Sequence, residues 1–412
     1  MDMMMREASC TVAVVGGGTA GLALARELKR LDAGSVVVLE REAQAGGTPR
    51  HCGHYPFGIL EYNRLMKGPD YARRNWEEAE TAGVEIRTGT SVTKLLPGGS
   101  LEVVDNEGVY RLNAERVVLC TGVRESSRPQ RFVGGDRPLG VITTGALQSS
   151  VYLKGIRPFE RPVIFGSELV SFSSLQTCAH LGIKPVAMVE EEERIRARGV
   201  FTPYLWLKHV PLHVGVSNPR ILGRERVEAL EFTDHKGRAR RIETDGIIIS
   251  GRFRPEAALL HRSHLEVDGG TGGPAVDQYG RCSDPAYFSA GNLLRPAETS
   301  SWCHAEAREI AIGIAADLRQ PSKSESVELH IKDNRISFVM PQSLCLTGGR
   351  AGMSNVYLGL NMPVDAKLAA YSSGRLLWSQ RLRSRPVRRI TIPVAKLLDA
   401  GPDGPVELTL ED

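Results

Sequence analysis

Three glycines, Gly16, Gly18 and Gly21, stand as G-x-G-x-x-G behind the apolar run "TVAVV" and ahead of "LALARELKRL". The first glycine permits a tight turn, the second lets backbone N–H groups approach a diphosphate, and the third lets a helix pack closely on the strand. Glu40 ends the next valine-rich run, 24 positions after Gly16, where a carboxylate can accept both hydroxyls of an adenosine ribose. Gly16, Gly18, Thr19, Ala20 and Gly21, with Glu40 and Arg41, are therefore read as a dinucleotide cradle whose phosphates face a helix N-terminus.

A second constellation follows at once in "GGTPRHCGH", where His51, Cys52 and His54 fall close together. An imidazole titrates near neutral pH and can take a substrate proton. A metal would need a further ligand for which the sequence offers no evident pair, so no metal is expected. The third constellation is "GSELVS": Gly166 stands where the first glycine of such a turn would be, but Glu168 holds the second position and Ser171 the third. A carboxylate about 4 Å from a diphosphate charge costs roughly 4 kcal/mol at an effective dielectric near 20, about a thousandfold in affinity. This turn is read as a scaffold, with Glu168 as its own anion at the helix N-terminus. NAD(P) binding is the alternative, because Glu190 is spaced to meet a ribose.

These residues need elements to hold them. "TVAVVGGGTAGLALARELKRLDAGSVVVLE" reads as strand, turn, helix and strand, and "RPVIFGSELVSFSSLQTCAHLGIKPVAMVE" repeats the plan with the same 24-position spacing from Gly166 to Glu190. Residues 274–318 supply a further strand, a Gly-Asn turn and an Ala/Ile-rich helix. After "RQPSKSES" the pattern changes to short alternating runs such as "VYLGL" and "VELTL", read as a β-sandwich of about seven strands. The expected fold is α/β, with two Rossmann-like domains, the second inserted in the first. The expected boundaries are 1–160, 161–273 and 274–320, with a C-terminal β-sandwich domain over 326–412. The composition agrees: 412 residues, 42% hydrophobic, suffice for several cores. A net charge of +4 from 52 basic and 48 acidic residues gives no field for nucleic acid. Seven scattered cysteines with no C-x-x-C pair suit a reducing compartment, and the expected location is cytoplasmic, with no spanning segment.

Two distant segments carry a resemblance. "RVVLCTGVRE" ends a β-run at Thr121-Gly122, and "YFSAGN" ends another at Gly291-Asn292. With the first glycine turn and Glu40, over about residues 10 to 318, they resemble the two-dinucleotide-domain flavoproteins, the pyridine nucleotide-disulfide oxidoreductase superfamily of glutathione reductase and thioredoxin reductase. The resemblance implies FAD on the first turn. It implies further cofactor contacts from Gly47, Thr48, Val92, Thr121, Gly122, Gly291, Asn292, Thr299 and Ser300, Asn292 standing where the superfamily has Asp. It also implies that "PRHCGH" crosses the flavin ring, which makes His54, His51 and Cys52 the catalytic candidates, His54 foremost as proton acceptor. Where the disulfide reductases read "GGTCVNVGC", Pro49 and His54 take the cysteine positions, so no disulfide relay is expected.

The helix opening "TSSWCHAEAREIA" would point its N-terminus at the flavin pyrimidine, with Thr299, Ser300 and Ser301 as caps and Trp302 as either core or substrate wall. "GGTPRHCGHYPFG" looks closest to the FAD subunits of opine oxidase, D-hydroxyproline dehydrogenase and hydrogen cyanide synthase, although only Cys345 lies beyond Cys303 where those carry a cysteine cluster. The implied activity is hydride transfer from a small amine, imino acid or similar substrate to FAD, and on to a non-nicotinamide acceptor or partner subunit. The alternatives are an NAD(P)H-dependent flavin reductase and a flavin-bearing assembly or regulatory subunit. Arg381, Arg383 and Arg385, with Arg388 and Arg389 following, are read as a solvated face of the C-terminal domain, or else as the partner's dock.

Overall fold

The computed structural model describes residues 6–321, 325–347, 352–386 and 388–412. Strand Arg6–Val15 pairs in parallel with Val36–Leu39 on one side and Gly108–Leu119 on the other. Val12, Ala13 and Val14 are fully buried, which is why this run is apolar without alternation: both faces are covered. Glu85–Arg87 extends the sheet beyond Val36–Leu39, the hairpin Ser91–Leu96/Ser100–Asp105 extends it past Gly108–Leu119, and Tyr287–Ser289 also pairs with Gly108–Leu119. Helices Thr19–Arg30 and Ser300–Arg319 pack together against it. The second helix buries Ala307, Ile310, Ala311 and Ile314, one stripe at 3.6-residue spacing.

The repeated unit forms its own parallel sheet, in the order Leu212–His213, Ala187–Val189, Val163–Phe165, Ile247–Ile249, Val141–Thr143. A four-stranded sheet, including the hairpin Ser217–Leu222/Ala229–Thr233, packs beside it. The chain crosses between the two domains on the antiparallel pair Val123–Glu125 and Phe253–Pro255. The boundaries expected at 161 and 273 therefore move. Val141–Thr143 already belongs to the inserted sheet, while Ala257, Leu260 and Leu265 return to the core of the first domain. Periodicity marks where a βαβ unit begins, but an edge strand contributed from upstream leaves no local mark.

From Ser326 to Glu411 two sheets face each other, one of five strands and one of three among the described residues, eight strands where about seven were expected. Val356, Leu368, Leu397 and Leu408 lie between them. This unit is not free-standing: Met340, Met353 and Tyr357 are part of the first domain's core, and Gln278 Nε2 donates to the Cys345 carbonyl (2.9 Å).

Candidate functional site

Gly16 and Gly21 are demanded by the protein's own atoms. A side-chain carbon on Gly16 would lie 2.5 Å from the Cys120 carbonyl oxygen, and one on Gly21 would lie 2.0 Å from the Gly16 carbonyl oxygen. Gly18 differs: the nearest atom to such a carbon is Gly47 Cα at 3.8 Å, and φ is −80°. Nothing in the chain requires glycine there, so the open space beside it suits a diphosphate held by backbone N–H groups. Gly47 folds back onto Gly18, Ala20 faces Gly291, and Gly16 faces Cys120-Thr121, so the structure gathers the expected cradle residues from four segments. Glu40 ends its strand with one carboxylate oxygen accepting from Gly17 N (2.9 Å) and the other from Glu42 N (2.8 Å). Each oxygen keeps a lone pair for a ribose hydroxyl. Thr90 N donates to Glu40 O, which sets Val92 on the adjoining strand, while Arg41 points to solvent.

Three of the expected contact residues have the following surroundings within the chain. Thr121 Oγ1 donates to the Glu256 carbonyl (2.9 Å), tying Thr121-Gly122 to the returning chain. The Asn292 amide closes the loop after it, with Oδ1 accepting from Glu298 N (2.7 Å) and Nδ2 donating to Glu298 O (3.1 Å). Thr299 sits at the N-cap of Ser300–Arg319 but makes no side-chain cap, and Ser301 donates instead to Glu61 Oε2 (3.0 Å). The first-turn N–H groups thus lack a side-chain acceptor at the end where an anionic group would be welcome.

The strap Thr48–His51 continues through Cys52 to His54. Cys52 is 8% exposed, its Sγ lies 3.6 Å from Gln148 Oε1, and burial pushes the thiol up to about 12. Burial thus disfavours its thiolate form. His51 Nδ1 is buried without a partner, and burial lowers the ring's pKa. His54 Nδ1 lies 3.1 Å from the Tyr55 carbonyl, so this nitrogen carries the proton and Nε2 is the acceptor. Burial holds His54 below its ordinary value as well. What supports the strap is not legible in the sequence. Tyr152 packs against Gly53 so tightly that a side-chain carbon there would lie 2.1 Å from the ring. Nearby, Glu125 accepts from Gly145 N (2.8 Å) and Gly251 N (3.0 Å) at the domain crossing, and burial raises its pKa. Among the described residues no group of three or more His, Cys, Asp or Glu is placed to hold a metal ion.

The second turn copies the first in backbone and departs from it in side chains. Gly166 N donates to Val189 O as Gly16 N does to Leu39 O, and Ala197 N donates to Ser167 O as Gly46 N does to Gly17 O. Glu190 repeats Glu40, yet it is fully buried and accepts from Ser167 Oγ (2.5 Å) and Glu192 N (3.1 Å). Contrary to the expectation, Glu168 does not cap its own helix. It accepts from Arg252 N (3.0 Å), pairs with Arg196 (3.3 Å), and lies against Gly251. The backbone N–H of Arg252 and the Arg196 guanidinium outcompete the helix end. Arg131, 2% exposed and stacked on Phe165, bonds Ser250 O (2.9 Å) and Glu191 (3.1 Å), and Glu191 also pairs with Arg252 (3.2 Å). Ser171, where a third glycine would be, joins a fully buried hydroxyl chain with Ser250, Thr144 and Ser174.

Two dinucleotide folds, the second inserted in the first, with an open diphosphate cradle at the first glycine turn, define a dinucleotide-binding protein. The pyridine nucleotide-disulphide oxidoreductase family model matches residues 10–308, and the chain belongs to that family. It is a FAD-dependent oxidoreductase, without the redox cysteine pair. The alpha chain of sarcosine oxidase from Rhizobium meliloti is 26% identical over 279 residues, covering 63% of this chain and 26% of the relative. An opine oxidase subunit of the same organism is 24% identical over 267 residues, covering 62% and 56%. The chain thus spans about a quarter and about half of these relatives. Among solved structures, thioredoxin reductase of T. acidophilum superposes with a TM-score of 0.63 at 21% identity, covering 75% of this chain and 98% of that one. L-Proline dehydrogenase of P. horikoshii gives 0.57 at 18%, covering 78% and 58%. Both support the fold. No helix among the described residues is long and apolar enough to cross a membrane.

Proposed function

We propose that this chain is the flavin subunit of a dehydrogenase that oxidises a small amine or imino acid and passes the electrons to a partner subunit or another non-nicotinamide acceptor. The observation that carries this reading is Glu168, which stands at the second turn's diphosphate position and engages Arg252 and Arg196 where a nicotinamide dinucleotide would pass. Buried Glu190 has no exposed edge to offer a ribose. With neither a nicotinamide cleft nor a cysteine pair, reductant reaches the FAD site directly. Bound FAD would accept the hydride; Gly18, Glu40 and Gly47 would hold its diphosphate and ribose. His54 is the residue for the accompanying proton, because burial keeps it neutral at neutral pH and its Nε2 is the free acceptor. The relatives named for sarcosine, opines and L-proline support the substrate class, and those named as subunits support a partner. On the C-terminal domain Arg381 and Arg383 remain at the surface, where they share Asp365 (2.7 and 3.9 Å).

The test is an anaerobic screen in which secondary and primary amines, imino acids and hydroxy acids are each mixed with the yellow protein. Bleaching by an amine or imino acid and by no hydroxy acid is the expected result. A protein bleached by none of them, alone or with the products of neighbouring genes added, would remove the dehydrogenase reading.

A further inference from the structure

The C-terminal β domain lies beyond the family match, and its sequence leaves the arginines facing solvent or a partner. One of them, Arg389, also reaches the first domain. From an exposed position its Nε donates to Glu298 Oε1 (2.9 Å) and its Nη2 to Glu298 Oε2, while the guanidinium lies 3.9 Å from the centre of the Trp302 ring. Trp302, 41% exposed, is neither core nor open wall: Arg389 covers its face.

Glu298 and Trp302 flank the end of helix Ser300–Arg319 that, in the first domain, lies beside Gly291-Asn292. Glu298 is held from both sides. Asn292 grips its backbone N–H and carbonyl, and Arg389 grips its carboxylate in a bidentate fork. Arg295, 3% exposed, lies under the same loop, bonded to Glu306 (2.7 Å) and stacked on Tyr357 of the C-terminal domain (4.1 Å). Two guanidiniums thus fasten this loop and the first turn of its helix across the domain junction, one from each side. A helix end whose N–H groups lack a side-chain cap binds an anion only as well as it is held in place.

We propose that Arg389 is a positioning residue for the flavin site: through Glu298 and Trp302 the C-terminal domain fixes the loop and helix N-terminus against which FAD binds. The inference rests on the assignment of Gly291 to Ser300 to the cofactor, so its test carries a separate control for that site.

FAD affinity of the flavin-free full chain is measured by fluorescence titration for Arg389→Ala, Arg389→Lys, Glu298→Gln, the Arg389→Ala/Glu298→Gln pair, and Arg383→Ala. Arg383 is 89% exposed and stands 3.9 Å from Asp365, so its variant should bind like wild type. Arg389→Ala should raise the dissociation constant about tenfold and broaden the visible flavin bands, as expected for losing one charge-assisted fork. Arg389→Lys should recover part of this, keeping the charge but losing fork and stacking. The double variant should be no weaker than the worse single one, because both remove one interaction. Unchanged affinity and spectra in both Arg389→Ala and Glu298→Gln, with lowered thermal stability alone, would overturn the proposal. If Arg389→Ala does not fold, Glu298→Gln decides by the same two readouts. Gly18→Ala in parallel separates the failures: loss of FAD there with none at Arg389 leaves the cradle standing and rejects the clamp.

Discussion

Replacing Gly18 with alanine adds one methyl group for which the protein itself has room. The new carbon would lie 3.8 Å from its nearest neighbour, Gly47 Cα, and φ at this position is −80°, open to any residue. The flavin-free fold should therefore be unharmed, and at a compatible φ the exchange stabilises by about 0.4–1 kcal/mol through the unfolded chain. The same methyl group occupies the space from which backbone N–H groups would meet the diphosphate. Losing one such charge-assisted bond costs about 1.5–3 kcal/mol, or roughly tenfold to a hundredfold in FAD affinity. Gly16→Ala, with its carbon 2.5 Å from the Cys120 carbonyl and φ at +110°, should instead damage the fold. The assay pairs thermal melting of flavin-free protein with FAD titration. A Gly18→Ala protein that melts well below wild type, or that binds FAD as tightly, would refute the division between glycines kept for the chain and the glycine kept for the ligand.

His54→Ala should slow substrate reduction of the flavin by about a hundredfold to ten-thousandfold with FAD content unchanged, whereas Cys52→Ser should leave the rate within a few fold; stopped-flow absorbance reads both. Because burial lowers the His54 pKa, the acid limb of the wild-type rate should lie below the ordinary histidine value of about 6.5 and vanish in His54→Ala. Glu168→Gly removes the carboxylate at the second turn's diphosphate position and leaves Arg196 paired with Glu192 alone, so it should tighten NADH binding at least about tenfold, read by quenching of tryptophan emission. His304, 4% exposed, is lowered to about 4 by burial, aided by Arg26 and Arg308. The unfolded chain then binds the extra proton first, so stability should fall as pH drops from about 6.5 toward 4, by about 3 kcal/mol from this residue, and His304→Gln should flatten that slope in urea melts.

The parts of this site that the sequence reveals are those whose chemistry is local. A glycine turn, the helix after it and the acid ending the next strand lie within 24 positions, and the same spacing exposes the repeat at Gly166 and Glu190. The identity of Glu168 already argues against a second dinucleotide. Its partners do not follow, because Arg252 lies on another strand end and the competition between a helix N-terminus and an arginine pair is settled in three dimensions. The strap is legible as chemistry and silent about its support: Gln148 and Tyr152 come from the inserted domain. Alternation over Arg381 to Arg385 correctly marks a surface strand, but Arg389 lies past its end, where strand periodicity no longer fixes the direction of a side chain.

The central claim is that electrons enter at the FAD site from an organic substrate and not through the second dinucleotide fold. Anaerobic stopped-flow mixing of the wild-type yellow protein with NADH and with NADPH, over micromolar to millimolar concentrations, tests it most directly. Slow bleaching whose rate stays proportional to nicotinamide concentration, beside fast saturable bleaching by an amine or imino acid, is the predicted result. Rapid reduction that saturates at micromolar NADH or NADPH would contradict the account.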